Sequence, residues 1–274
     1  MSTILLNHLL RHTQCLISLK IANLSTTEVI VAALQDDDPQ ARNCLSNLKI
    51  LKQYRKMHPA PTTLYSQLAK CSWNIEQLDV SVGTQISELS SLIYVQGNLK
   101  GLAIRKKGAV SPSTEPWTSN ISKSTITVAH LKLDGINFPL EILYKFENLI
   151  DLELKNCSYE GYDQEALTHF TKVSLKYLET FFFESKYPIY LESFVGLIRN
   201  SGKNLKSLTL HGCQIEDPEN AQKLLISLTD CSPNLIFYEG PILEDNINEL
   251  DNMLNNCTKL RELILHPSIS NCFH

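Results

Sequence analysis

Apolar residues recur along this chain in one short phrase, filling its first, fourth and sixth places with polar residues set between them. The clearest copy is Leu205-x-x-Leu208-x-Leu210-x-x-Cys213, and a near twin stands at Leu149-x-x-Leu152-x-Leu154-x-x-Cys157. Ten copies begin at Leu16, Leu45, Ile75, Leu99, Val128, Leu149, Leu178, Leu205, Leu235 and Leu260, at intervals of 21 to 30 residues. Apolar residues two apart mark one face of a strand. Between the phrases the spacing changes to that of a helix, as in Leu191, Phe194, Val195, Leu197 and Ile198, or Leu224, Leu225 and Leu228. The stretch Glu28 to Leu34 is almost wholly apolar and predicts a helix packed on its neighbours. Loop chemistry follows where a helix should stop, at Asn200-Ser-Gly202 before Leu205 and at Asp230-Cys-Ser-Pro233 before Leu235.

One strand and one helix per unit, at this period and with this phrase, is the mark of a leucine-rich repeat. The predicted fold is an α/β solenoid, a horseshoe with a parallel sheet on its concave face and helices outside. It is expected to form a single domain over 1–274 with about ten repeats. A lone repeat buries perhaps six large side chains at roughly 1.5–3 kcal/mol each. Ordering its backbone costs about 1–2 kcal/mol per residue, so only the stacked array is stable.

Two places break the rhythm. Residues 106–124 should hold a helix but are rich in Ser, Thr, Pro and Gly, and read as an irregular loop. That loop is either a degenerate repeat or a partner-contacting segment built around Trp117. After Val128 only Pro139 to Phe146 is available for a helix, two turns at most. Met1 to Gln14 looks like the closing helix of a repeat whose strand is missing, and Pro267 to His274 is short for a cap. The expectation is a fragment, or a product lacking its first domain.

Composition changes this picture little. The 274 residues are 43% hydrophobic and carry 25 basic and 29 acidic side chains, a net charge of −4. No overall field favours nucleic acid or an anionic membrane, and neither is expected as a partner. The basic run Arg105-Lys106-Lys107 is too short to change that. No apolar run approaches the roughly 18 residues of a membrane span, and the N-terminus is too polar for a signal peptide. A cytoplasmic or nuclear protein is expected. Cys15, Cys44, Cys71, Cys231 and Cys257 each stand shortly before a repeat's first strand residue, and Cys157 and Cys213 fill the ninth place of the phrase. They read as small buried hydrophobes; Cys272 lies outside the scheme.

The coil from Leu205 to Leu235 resembles the cysteine-containing subclass of leucine-rich repeat, through Leu205, Leu208, Leu210, Cys213, Ile215, Leu224, Leu225 and Cys231. It lacks one residue between Cys213 and Ile215 relative to that pattern. The subclass is typical of F-box proteins, and the loosely kept repeats resemble those of the fungal F-box/leucine-rich-repeat family. In that family an N-terminal F-box docks on the adaptor subunit of a cullin (SCF-type) ubiquitin ligase, while the repeats hold the substrate. The resemblance therefore implies a protein–protein interaction module, the substrate-recognition arm of an F-box-type ubiquitin ligase component. No Leu-Pro-x-Glu-Leu-Leu-like opening precedes the first repeat, so an adaptor is expected as partner only if an F-box exists outside this sequence. A free-standing leucine-rich-repeat adaptor or regulator is the alternative. A GTPase-activating protein, which shares the fold, ranks below it because the chain ends Asn-Cys-Phe-His, not in a long acidic tail.

Between the inward apolar positions of each strand, the outward residues predict the binding face. They run Ser18, Lys20; Asn47, Lys49; Gln77, Asp79; Gly101, Ala103; His130, Lys132; Asp151, Glu153; Thr180, Phe182; Ser207, Thr209; Phe237, Glu239; Glu262, Ile264. Arg105, Asp134, Lys155, Glu184 and His211 follow. The candidate partner-binding set is Lys132, Asp134, Asp151, Glu153, Lys155, Phe182, Glu184 and His211. An aromatic anchor among mixed charges is how protein interfaces concentrate affinity. A slip of one residue in this strand would instead leave Phe181-Phe182-Phe183 packed on both sides. Catalytic chemistry is not expected. Gly196 to Asn204 is a faulty phosphate loop with Asn where Ser or Thr must hold magnesium. His8, His12 and Cys15 fall short of the four organised ligands of a zinc site, and no cofactor or metal is expected.

Overall fold

The computed structural model describes residues 3–22, 24–36, 38–53, 62–83, 87–106, 121, 124–136, 140–157, 169–185, 191–212 and 218–267. The chain divides into two compact units, Met1–Ile136 and Asn137–His274. Both are α/β leucine-rich-repeat solenoids in which strand and helix alternate.

In the first unit the strands are β1 (Ser18–Ile21), β2 (Ile50–Gln53), β3 (Gln77–Val82), β4 (Gly101–Lys106) and β5 (His130–Asp134). Each pairs in parallel with the next. Helix Thr3–His12 precedes β1, and helices Leu24–Gln35, Pro39–Ser46, Thr62–Ala69 and Ser87–Tyr94 run between the strands. The second unit carries β6 (Asp151–Lys155), β7 (Thr180–Glu184), β8 (Ser207–His211), β9 (Phe237–Ile242) and β10 (Glu262–Pro267), again parallel in chain order. Helices His169–Lys172, Glu192–Ser201, Pro218–Cys231 and Ile247–Asn256 supply the crossovers that parallel neighbours need. After β5 the short segment forms one 3-10 stretch, Leu140–Lys145, matching the two turns its length allows. Of the 106–124 loop, only Lys106, Ile121 and Ser124 are among the described residues; Trp117 lies outside them.

The phrase works as a packing rule. Leu205, Leu208 and Leu210 are all buried, as are Leu149, Leu152 and Leu154, while the residues between them, the buried Thr209 apart, are part-exposed or at the surface. At each joint within a unit, one carbonyl accepts two N–H groups from the following repeat. Glu179 O takes the amides of Lys206 and Ser207 (2.8 and 3.0 Å), and Lys206 O takes those of Ile236 and Phe237 (2.8 and 3.0 Å). Ile17, Lys49, Glu76, Lys100, Ile150 and Ile236 do the same at their own joints.

The second repeat corrects the sequence reading. Its strand starts at Ile50, not Asn47, because Leu45 belongs to the last turn of the helix Pro39–Ser46 and the phrase begins at Leu48. Ile50 and Lys52 therefore hold the outward places expected for Asn47 and Lys49. The slip arose because the last core place holds Gln53, not an aliphatic residue. That buried amide is satisfied: its Oε1 accepts from Ser81 N at 3.0 Å and from Tyr65 Oη at 3.4 Å. A better marker was present. Asn precedes the first core residue at Asn47, Asn74, Asn98, Asn148, Asn204 and Asn234. Its role is physical: Asn204 Nδ2 donates to Lys176 O (2.8 Å) and Asn234 Nδ2 to Lys203 O (2.9 Å), tying each repeat to the one before.

Buried polar groups make similar ties deeper in. Gln96 accepts from Ile75 N at 2.8 Å and donates to Ser72 O (2.8 Å) and Leu92 O (2.9 Å). Ser201 Oγ accepts from Leu175 N at 2.8 Å. Among the described cysteines, Cys44, Cys71, Cys157 and Cys257 are buried as expected, and Cys231 is partly so. Burial pushes the thiols of Cys44, Cys71 and Cys257 above their ordinary values, which keeps them inert. Cys15 is a correction: it is exposed. Cys213 and Cys272 lie outside the described residues.

Turns out of the strands need left-handed backbone. Gly212 has φ +69°, and a Cβ there would run into the carbonyl of Ser185; Gly135 and Asn156 take the same place after β5 and β6. Repeat nine solves its core differently. Tyr238 is fully buried where the phrase has its second leucine, and its ring fills the space of the third, occupied by Gly240. A Cβ on Gly240 would lie 2.5 Å from the Tyr238 hydroxyl.

Restoring the leucine consensus at one of these positions should thus do harm. Gly240→Leu is expected to cost about 1–3 kcal/mol by overpacking, and adding Tyr238→Leu should recover much of that loss in a double-mutant cycle by urea denaturation. Gln96→Leu should cost about 1–3 kcal/mol for each buried group left without a partner, read in the same assay.

Candidate functional site

The outward face of the second unit gathers most of the residues that sequence reasoning selected. In β7 the burial alternates around the run of three phenylalanines: Phe181 and Phe183 are buried, and Phe182 is half-buried on the outward side. The inward pair has a reason to stay in. Phe181 and Phe183 pack with Phe194 of the following helix at ring separations of 5.8 and 4.8 Å, and Phe170 joins them at 5.6 Å from Phe194. A slip of one residue would dismantle this cluster, so the register is held by aromatic packing.

Phe182 is flanked on both neighbouring strands. Lys155 Nζ of β6 lies 4.3 Å from its ring centroid, a cation–π contact. Lys155 also pairs with Glu153 at 2.9 Å. On the β8 side the His211 ring meets Phe182 edge-on at 5.5 Å. Beyond it the row continues through Glu239 of β9, whose Oε1 lies 2.6 Å from His211 Nε2 and 3.1 Å from His266 Nε2 of β10. Burial would raise the Glu239 carboxyl, but hydrogen bonds from His211 and His266 outweigh it and hold it below the ordinary carboxylate value. Asp151 and Glu184 stand in register with Thr180 and with Lys155 and His211 respectively.

Lys132 and Asp134 belong to β5 of the first unit, where they pair in register with Ala103 and Arg105. Arg105 is ion-paired with Asp79 and donates from Nη2 to Gln53 O at 3.2 Å. Gly101 and Ala103 leave a hollow of about 210 Å³ bordered by Lys52, Asp79, His130 and Lys132. Small residues at two adjacent outward places make that hollow.

Sequence reading listed Glu239 on the face without selecting it and stopped at Ile264, one step before His266. Continuing the period of two from Glu262 and Ile264 leads to His266 directly. Among the described residues no helix is long and apolar enough to cross a membrane.

The class defined here is a leucine-rich-repeat protein with a polar, aromatic-bearing strand face. No protein-family model matches the sequence, and no curated protein does. Among solved structures, the chain is similar to one in the crystal structure of the Rad7–Elc1 complex of yeast. The TM-score is 0.53 at 14% identity, covering 97% of this chain and 74% of that one. That likeness is one of fold. A weaker match, to the Toll–Spätzle complex of Drosophila, has a TM-score of 0.37 at 12% identity, covers 97% of this chain and 49% of that one, and carries no argument.

Because Phe182 faces outward and Phe181 inward, their truncations should separate. Phe181→Ala is expected to cost about 3–5 kcal/mol. Phe182→Ala should forfeit mainly its contacts with Lys155 and His211, about 1 kcal/mol. Equal losses in urea denaturation would contradict the assigned register.

Proposed function

We propose that this chain is a non-catalytic protein-binding module, the substrate-recognition arm of an F-box-type ubiquitin ligase component acting in the cytoplasm or nucleus. The observation that carries the reading is Phe182, an aromatic side chain kept on the outward face of β7 between Lys155 and His211. The core does not need it there, since Phe181 and Phe183 already fill the inward places. An interface does: an aromatic anchor ringed by ionic groups excludes water from a partner's apolar group while the rim sets orientation. The fold supports the same reading, because the strand phrase leaves its outward positions free to vary without cost to the coil. The similar chain of known structure was itself solved with a second protein. The ligase assignment rests on the cysteine-containing repeats, which resemble those of F-box proteins. It requires adaptor docking through an F-box outside this sequence.

Affinity purification with mass spectrometry, comparing the wild type with Phe182→Ala combined with Glu153→Lys, tests the reading. The double variant should lose a discrete set of partners while remaining folded by circular dichroism. An unchanged partner set would remove the β6–β8 face as the site. A cullin-ligase adaptor among the partners of both proteins supports the ligase role; its absence from both would leave a free-standing adaptor.

A further inference from the structure

We infer that His211, Glu239 and His266 form a binding site for a divalent d-block cation of zinc type on the outward face of the second unit. One ligand atom comes from each of three adjacent strands, β8, β9 and β10, and the three atoms lie within 4.8 Å of one another. Both imidazoles turn Nε2 toward the same oxygen, Glu239 Oε1, at 2.6 and 3.1 Å. Two nitrogens and one carboxylate oxygen are a donor set that zinc takes, in sites whose fourth position stays open to water. Tetrahedral zinc holds such donors at about 2.0–2.1 Å, which sets neighbouring donors about 3.3 Å apart. The His266–Glu239 separation of 3.1 Å is close to that spacing, while the His211–Glu239 separation of 2.6 Å is shorter by about 0.7 Å. Binding therefore needs the His211 and Glu239 donors to move apart around the ion.

Rigidity favours the site. Ligands on hydrogen-bonded strands are held more closely than ligands on loops, and the β9–β10 pairing runs in register from Glu262↔Phe237 to Pro267↔Ile242. The His211 ring is braced edge-on by Phe182 at 5.5 Å and by the His266 ring at 5.5 Å. The cluster is sheltered on one side and open on the other: His211 Nε2 is buried and the Glu239 side chain is 16% exposed, while the His266 side chain is 51% exposed. Both Nε2 atoms converge on one carboxylate oxygen, so the three potential donor atoms face a common point.

This inference does not depend on the protein-binding proposal, and its test reads the metal alone. The full chain is titrated with Zn²⁺ by calorimetry and with Co²⁺ by visible absorption, which reports tetrahedral nitrogen and oxygen ligation. The wild type should bind one equivalent reversibly to chelator, with the cobalt bands of a four-coordinate site. His266→Ala, on an exposed position of β10, and Glu239→Gln should each weaken binding at least about tenfold, with circular dichroism unchanged. His8→Ala with His12→Ala should leave binding intact; these two rings lie 4.1 Å apart on the N-terminal helix and are the competing pair. Saturable binding that survives His211→Ala with His266→Ala, or that is lost in the His8/His12 variant, would overturn the site. So would the absence of chelator-reversible binding in the wild type.

Discussion

Each repeat of this protein is completed by the next. The carbonyl just ahead of one strand accepts two amides from the following repeat, as Glu179 does for Lys206 and Ser207, and the leucines behind the strand close against the next set. Neither tie exists within a single coil. Backbone polar groups in a buried strand must find partners, and a lone repeat has too little apolar surface to offset its ordering. Parallel stacking meets both demands together, and it fixes what is left over: a row of side chains pointing away from the core, one or two per strand.

That residue of freedom is where function can accumulate. Core places tolerate little, and where they depart from leucine the structure compensates locally. Gln53 takes hydrogen bonds from Ser81 and Tyr65, and Tyr238 expands into the volume that Gly240 vacates. Outward places carry no such debt. In the second unit they hold a continuous series from Glu153 and Lys155 through Phe182 and His211 to Glu239 and His266, each touching the next. We propose one segment of that series as a protein interface and the other as a cation site.

Much of the fold was legible because its signal repeats. Nine of the ten strand registers follow from the leucine phrase, since an error in one coil leaves the others unaffected. The tenth failed at β2 for a local reason: Gln53 hid the last core place, and Leu45 offered a false start three residues early. Asn47, standing before Leu48 as Asn204 stands before Leu205, marked the true one. The site was legible only in part. Alternation put Phe182 and His211 on one face, but which outward residues touch depends on diagonal reach across strands, set by side-chain length and rotamer. The convergence of His211 and His266 on Glu239, from positions two residues out of step, leaves no trace in spacing.

Native-state hydrogen exchange across the second unit tests the central claim most directly. If successive coils complete one another, the amides of 151–155, 180–184 and 207–211 will be protected alike, and protection at Lys206 and Ser207 will match that at Thr180. Strand amides exchanging as fast as those of an unfolded chain, or one strand opening without disturbing its neighbours, would contradict the account.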